Sequence, residues 1–223
     1  MTSNLISESY LSEQRGLHRN PRYGVASLEF APVVRQLLIV GRCSSLSDYG
    51  AGKCNLFHAL GGAAAGIDYY PYDPVFPDYG AARPADLVTC IDVLEHVEPD
   101  CLDAVLDELA SITSRLALLT VHTGPAKKVL TDGRNAHLTQ QSAQWWTGHL
   151  ERRFDILHLK PIPKGFFVVV APKGSAAALA RTADLAALAQ VVDSARPRSF
   201  WGRLGKRVLQ RSAQRSRRPA AAA

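Results

Sequence analysis

The sequence predicts an α/β fold: a doubly wound, mostly parallel sheet flanked by helices and completed by a C-terminal antiparallel hairpin strand. Residues 86–91 and 116–122 are apolar on both faces, as strands inside a parallel sheet are. A glycine-rich turn at 49–53 joins a short strand to a helix, which opens a βαβ unit. Two strand patterns, 154–159 and 166–171, are joined by a turn containing proline and glycine, which predicts an antiparallel pair.

The remaining elements follow from hydrophobic spacing and from chain breakers. Apolar side chains at helical spacing predict helices, most clearly in residues 27–40 and 101–114. In chain order the predicted elements are a short helix within 1–26, helix 27–40, strand 44–48, helix 53–60, strand 67–72, strand 86–91, helix 101–114, strand 116–122, helix 142–150, strands 154–159 and 166–171, and an alanine-rich helix 176–192.

Length and composition allow one packed domain. The chain has 223 residues, of which 47% are hydrophobic, enough for one core and too few for two full domains. We therefore expect a polar N-terminal segment at 1–26, one domain at 27–175, and an alanine-rich helix with a basic tail at 176–223. The four scattered cysteines and the lack of a signal or membrane-spanning pattern predict a soluble cytoplasmic protein.

The positive charge is concentrated in the tail. The net charge is +6, yet nine of the 26 Lys and Arg residues lie between Arg196 and Arg218, where there is no acid. Phe200, Leu204 and Val208 have the spacing of a short amphipathic helix, which favours contact with RNA or with an anionic membrane surface. A disordered cationic end fits the same pattern.

The glycine-rich turn is the first candidate binding motif. Gly50 and Gly52 follow the strand that ends at Asp48, and glycine allows a backbone to approach a ligand closely. The position of a third glycine in a dinucleotide-binding turn holds Asn55 instead. A carboxylate at the entrance also repels phosphate, so the turn suits an ammonium or hydroxyl group better than a pyrophosphate. An ordinary tight turn remains the alternative.

An acid at the end of the second strand can accept hydrogen bonds from both hydroxyls of a ribose. Asp68 and Asp73 compete for this role. Asp68 has the commoner spacing from Asp48, but Asp73 stands where the strand ends and the chain must turn before Pro74. We therefore favour Asp73.

Two motifs together carry a family resemblance. DYGAGK (48–53) follows the first predicted strand, and DVLEH (92–96) follows the strand at 86–91. With this pair of motifs the sequence resembles the class I S-adenosylmethionine-dependent methyltransferases, which have a Rossmann-like fold. The resemblance covers roughly residues 27–172.

The resemblance implies roles for particular residues. Gly50 and Gly52 would lie against the methionine part of S-adenosylmethionine, Asp48 would help to hold its amino group, and Asp73 would bind its ribose. Asp92 would lie near the reacting methyl group.

The sequence departs from the family pattern between its second acid and the next strand. Only twelve residues separate Asp73 from Asp86, where the family has a helix and a third strand that supplies an acid to the adenine. We expect this element to be shortened or lost, with Val75, Phe76 or the backbone of 93–97 contacting the adenine instead.

Polar residues after the strand at 116–122 predict the acceptor side of the site. His122 and His137 are the candidate general bases, and one of Trp145 and Trp146 is expected in the core. The leading hypothesis is methyl transfer to an oxygen, or less often a nitrogen, of a small molecule or glycan, with no metal.

Three alternatives stay open. Small-RNA 2′-O-methyltransferases are similar around the Glu-His pair, and this similarity implies a metal on Asp92, Glu95, His96 and His137. An RNA acceptor would use the basic tail. A non-catalytic cofactor-binding protein with the same fold is the third reading.

Overall fold

A computed structural model of the chain describes residues 5–181 and 183–195, and its core is one six-stranded sheet in the order β2-β1-β3-β4-β6-β5. The strands are β1 (Ser45–Tyr49), β2 (Asp68–Tyr72), β3 (Ala85–Cys90), β4 (Thr113–His122), β5 (Phe154–Ile162) and β6 (Gly165–Pro172). The helices are α1 (Glu8–His18), α2 (Ser27–Val40), α3 (Asn55–Leu60), α4 (Leu102–Ile112), α5 (Ala143–Leu150), α6 (Ala176–Leu179) and α7 (Leu185–Ser194).

The pairing of the strands confirms the predicted fold class. Strands β1 to β4 are parallel to one another, whereas β6 runs antiparallel to both β4 and β5. Alternate side chains of each strand face opposite sides of the sheet. Leu87 and Phe167 therefore join a core with α2, α3 and α7, whereas Val88 and Phe166 join a second core with α4 and α5.

The segment between β2 and β3 is short, as predicted. The only regular element described there is a single turn of 3-10 helix, Pro77–Tyr79. Strand β2 consequently forms the edge of the sheet.

Several predicted bounds differ from the structure; helix 101–114, for example, ends at Ile112, where β4 begins with Thr113. The alanine-rich region 176–192 is not one helix: α6 ends at Leu179, and a new helix begins after Asp184, whose Oδ1 accepts a hydrogen bond from the backbone N–H of Ala187 at 2.9 Å. This carboxylate caps the second helix, and such a cap favours a helix start over continuation. The helix predicted from residue 53 begins at Asn55, after Cys54 in a left-handed conformation.

The prediction about the paired tryptophans is confirmed. Trp146 is completely buried in the core beneath α5, whereas Trp145 is partly exposed and packs edge-on against it. The basic tail that was predicted to form an amphipathic helix lies outside the described residues. Within the described residues, no helix is long and apolar enough to cross a membrane.

The topology brings the candidate motifs together. Because β1 to β4 are parallel, their carboxyl ends lie along one edge of the sheet. The glycine turn, Asp73, the DVLEH segment and the loop after His122 all follow those ends. This edge is where open α/β sheets bind their ligands.

Candidate active site

A cleft of about 1010 Å³, counted together with its opening to solvent, lies at this edge of the sheet. The residues that the sequence assigned to the methionine part, the ribose and the reacting methyl group of the cofactor all line it, namely Asp48, Gly50, Gly52, Asp73 and Asp92. His96 lines it as well. The structure therefore gathers motifs separated by more than forty positions into one cavity.

The glycine turn is locked to its neighbours. The backbone N–H groups of Gly50 and Ala51 both donate to the carbonyl of Tyr72, at 2.8 and 3.0 Å. Gly50 has a φ of +81°, and a Cβ added there would stand 2.4 Å from Cγ2 of Val93. The turn thus requires glycine for both its conformation and its close approach to the segment after β3.

Asp73 holds the turn from the other side. One of its oxygens accepts from the N–H of Gly52 at 3.0 Å and the other from the N–H of Val75 at 2.9 Å. Burial raises the pKa of this carboxyl, while the two backbone bonds oppose the shift. The competing Asp68 is exposed at the opposite end of β2, so the geometry favours Asp73 as the residue facing a ligand.

Asp48 also ties three strands together. Its oxygens accept hydrogen bonds from the Tyr69 hydroxyl of β2 at 2.7 Å and from the Thr89 hydroxyl of β3 at 2.8 Å. Burial raises the pKa of Asp48 to about 6. Each oxygen keeps a second lone pair, so its contact with a cofactor amino group stays a prediction.

Asp92, which lines the cleft, and the fully buried Glu95 form an acidic pair. Asp92 has a φ of +61°, and its N–H donates to the Thr120 hydroxyl at 2.9 Å. Glu95 is fully buried, and its Oε1 accepts from the N–H of His122 at 2.7 Å. Burial raises the pKa of Asp92 to about 7, and burial together with the charge of Asp92 raises the pKa of Glu95.

Three histidine rings lie in a row beside this pair. The ring centroids of His96 and His137 are 4.8 Å apart, and those of His137 and His122 are 4.7 Å apart. His122 and His137 are 3% and 1% exposed, and His96 is the one that lines the cleft. The predicted bases therefore lie behind His96, and their part in proton transfer stays a prediction.

The orientation of two of these rings is fixed by the backbone. His96 donates from Nδ1 to the carbonyl of Ala136 at 2.8 Å, and His137 donates from Nδ1 to the carbonyl of Gly124 at 2.7 Å. The Nδ1 bond of His96 leaves its Nε2 lone pair available. Burial, with a contribution from His137, lowers the pKa of His96 to about 3, so the ring is neutral at neutral pH.

The cluster also meets the distance requirement for a metal site. Ligand atoms of Asp92, His96 and His137 lie within 4.8 Å of one another, and His96 Nε2 is 3.9 Å from Asp92 Oδ1. Glu95, which the sequence placed among the metal ligands, is not part of this group. A set of two imidazoles and a carboxylate suits Zn²⁺ or Fe²⁺ better than Mg²⁺.

Some of the residues that the sequence proposed for adenine contact line the cleft, and one does not. Val75, Val93 and Val97 line the cleft. Phe76 stacks on Tyr79 with ring centroids 5.4 Å apart and does not line the cleft. Their contact with adenine stays a prediction.

The sequence analysis missed the contribution of the N-terminal segment. Tyr10, Gln14 and His18 of α1, with Tyr23 after it, form one wall of the cleft. Gln14 donates to the Tyr10 hydroxyl at 2.6 Å and accepts from the Tyr23 hydroxyl at 3.1 Å. The four-residue spacing of 10, 14 and 18 places these side chains on one helix face, and that spacing was the available signal.

Comparison with known proteins identifies the fold. The chain is similar to the solved 1,6-didemethyltoxoflavin-N1-methyltransferase of Burkholderia thailandensis with bound 1,6-didemethyltoxoflavin and S-adenosylhomocysteine. The TM-score is 0.54 and the identity 14%, over 77% of this chain and 93% of that one. It is also similar to the complex of DhpI with S-adenosylhomocysteine, with a TM-score of 0.51 and 15% identity, over 75% of this chain and 97% of that one. No family model and no curated protein matches the sequence. The chain has the class I methyltransferase fold.

Proposed function

We propose that this chain is an S-adenosylmethionine-dependent methyltransferase acting on an oxygen or nitrogen of a small molecule. The observation that carries the proposal is the cleft: Asp48, Gly50, Gly52, Asp73 and Asp92 were assigned to one cofactor from the sequence, and all line one cavity. Both similar structures carry S-adenosylhomocysteine, the product of this cofactor, which supports the same choice.

The residues present fit the cofactor. Asp73 keeps a second lone pair on each oxygen for the ribose hydroxyls, because each oxygen accepts one backbone bond in the structure. Gly50 and Gly52 leave the turn without side chains, so the methionine part can lie against the backbone. Asp92 lines the cleft, where a carboxylate stabilises a neighbouring cation. When bound, S-adenosylmethionine supplies a methyl group on a positively charged sulfur.

Positioning of the acceptor is the main catalytic contribution expected of this site. His96 is the ring that reaches the cleft, and its Nδ1 bond to Ala136 leaves Nε2 free to hold the proton of the acceptor. Asp92 Oδ1 lies 3.9 Å from this Nε2, so both groups meet the same part of the cleft. In this proposal His137 and His122 position His96 from behind.

The part of the cleft lined by the N-terminal segment and Val97 supports a small and largely apolar acceptor. Leu5, Ile6 and Val97 contribute apolar surface there, and Tyr10 and Gln14 contribute a linked pair of polar groups. Small-molecule sites typically combine apolar walls with a few polar groups of this kind. A glycan acceptor stays a prediction. Contact with RNA or with a membrane surface also stays a prediction, because it was assigned to the basic tail, which lies outside the described residues.

Methyl transfer tests this function directly. Purified protein with methyl-labelled S-adenosylmethionine is incubated with phenols, hydroxylated heterocycles, free sugars and short RNAs. We expect label on at least one small acceptor, and a rate about 100-fold lower for His96→Ala, since a misplaced acceptor can cost about that much. His58→Ala, which changes an exposed histidine, should leave the rate unchanged.

Two outcomes would contradict the proposal. Transfer to RNA alone, weakened by salt, would favour the RNA alternative. No transfer to any acceptor, with S-adenosylhomocysteine still bound, would favour a non-catalytic cofactor-binding protein.

A further inference from the structure

His18, the last residue of α1, reaches over the glycine turn from the N-terminal segment. Its ring lies edge-on to Tyr23 and to Phe76, with centroid distances of 4.9 and 5.3 Å. Its Cε1 is 3.3 Å from the position that a Cβ on Gly52 would occupy. The ring is therefore held in one place against the turn, and it lines the cleft.

The ring stands in the electrostatic field of the residue assigned to the ribose. Asp73 accepts from the N–H of Gly52, the residue that His18 covers, and its charge acts on the imidazole. Nδ1 of His18 is enclosed and has no hydrogen-bond partner. Nε2 is consequently the ring nitrogen that a ligand can reach.

A carboxylate alone cannot make all the hydrogen bonds that the hydroxyl groups of a ribose can form. Asp73 can only accept hydrogen bonds, so it takes the hydroxyl protons and leaves the hydroxyl oxygens in need of a donor. A neutral imidazole has one N–H, and a buried hydroxyl left without its partner costs binding free energy. His18 lines the same cleft as Asp73 and can carry such a donor.

We propose that His18 is part of the cofactor site and donates from Nε2 to a ribose hydroxyl whose proton Asp73 accepts. This inference rests on the proposed function, because the ribose is that of S-adenosylmethionine. It assigns a binding role to the N-terminal segment, which the sequence pattern treated as a polar extension.

The contacts of the segment support this role. Lys53 Nζ donates to the carbonyls of Asn20 and Tyr23 at 3.2 and 3.1 Å, and Asn55 Nδ2 donates to the carbonyl of Gly24 at 2.9 Å. Lys53 is the last residue of the glycine turn, and Asn55 is the first residue of α3. Asn55, at the position of the missing third glycine, thus fastens the segment that carries His18 to the turn that binds the cofactor.

Calorimetric titration of His18→Phe tests the inference. Phenylalanine keeps a ring between Tyr23 and Phe76 but has no N–H. The probes are S-adenosylhomocysteine and 5′-methylthioadenosine, which keeps the adenine and the ribose but lacks the amino-acid part. We expect both to bind about fivefold to tenfold more weakly than to the wild type, the loss typical of one neutral hydrogen bond.

Two further variants make the result specific. His58→Phe places the same change on an exposed histidine and should bind both probes like the wild type. His18→Gln restores a side-chain donor and should recover part of the affinity. Equal thermal unfolding of His18→Phe and wild type shows that the variant is folded.

Three outcomes would overturn the inference. Unchanged affinity of His18→Phe for both probes would remove His18 from the site. Weaker binding of S-adenosylhomocysteine alone would place His18 at the amino-acid part, away from the ribose. Failure of the wild type to bind S-adenosylhomocysteine would refute the proposed function itself, and the inference with it.

Discussion

Gly50→Ala is expected to lower the free energy of unfolding by about 3 kcal/mol and to abolish measurable binding of S-adenosylhomocysteine. The φ of +81° is unfavourable for alanine, and the new Cβ would stand 2.4 Å from Cγ2 of Val93. Relief of that clash has to shift either Val93 or the turn. The N–H groups of Gly50 and Ala51 hold the turn to the carbonyl of Tyr72. A shift of the turn would break these two hydrogen bonds and displace the backbone expected to lie against the cofactor.

Gly66→Ala is the matched control. Gly66 has a similar φ of +67°, but a Cβ there meets no atom within 4 Å. It should therefore cost only the backbone strain, about 1 kcal/mol, and leave binding unchanged. Denaturant unfolding and calorimetric titration measure the two effects. Equal losses of binding in both variants would contradict the role of the close approach to Val93.

The second large effect is a pH-dependent preference for the charged cofactor. With the pKa of Asp92 raised to about 7 by burial, its carboxyl is mostly protonated at pH 6 and mostly ionised at pH 8. The positive sulfur of S-adenosylmethionine favours the ionised form, whereas the neutral sulfur of S-adenosylhomocysteine does not. The ratio of the two affinities should therefore rise with pH, up to about tenfold between pH 6 and pH 8.

Asp92→Asn should flatten this dependence, because the amide does not titrate in this range. Titrations of wild type and variant with both ligands at pH 6, 7 and 8 measure the ratio, and the titration of groups common to the two ligands largely cancels in it. A rise with pH that persists in Asp92→Asn would show that another group carries the charge preference.

Some parts of this site follow from local pattern. Asp73 could be chosen over Asp68 because a strand end followed by proline is a local signal, and it puts the carboxylate at the ligand edge of a parallel sheet. The shortened segment after Asp73 could be predicted in the same way, since its length is fixed along the chain. Gly50 and Gly52 could be recognised from the sequence because glycine has no side chain, so a ligand or another segment can come close to the backbone there.

Other parts depend on contacts between distant segments. The spacing of 10, 14 and 18 marks one face of α1, but the role of His18 depends on the contacts of that face with Gly52 and Phe76, which the spacing does not specify. The order of the three histidine rings also depends on distant contacts. His122 is the last residue of β4, but its burial depends on how the loop that carries His137 folds over the DVLEH segment. The helix predicted over 176–192 is likewise interrupted by one side-chain hydrogen bond. Asp184 caps the start of α7, and the high helix propensity of alanine does not indicate such a start.

Binding of S-adenosylhomocysteine to wild type, Asp73→Ala and Asp68→Ala, with NAD as the control ligand, tests whether the cleft is a cofactor site in which Asp73 holds the ribose. We expect micromolar affinity for the wild type and for Asp68→Ala, about 100-fold weaker binding for Asp73→Ala because a charged hydrogen-bond partner is lost, and no binding of NAD. Wild-type protein that fails to bind S-adenosylhomocysteine, or an Asp73→Ala variant that binds it as tightly as the wild type, would contradict the account.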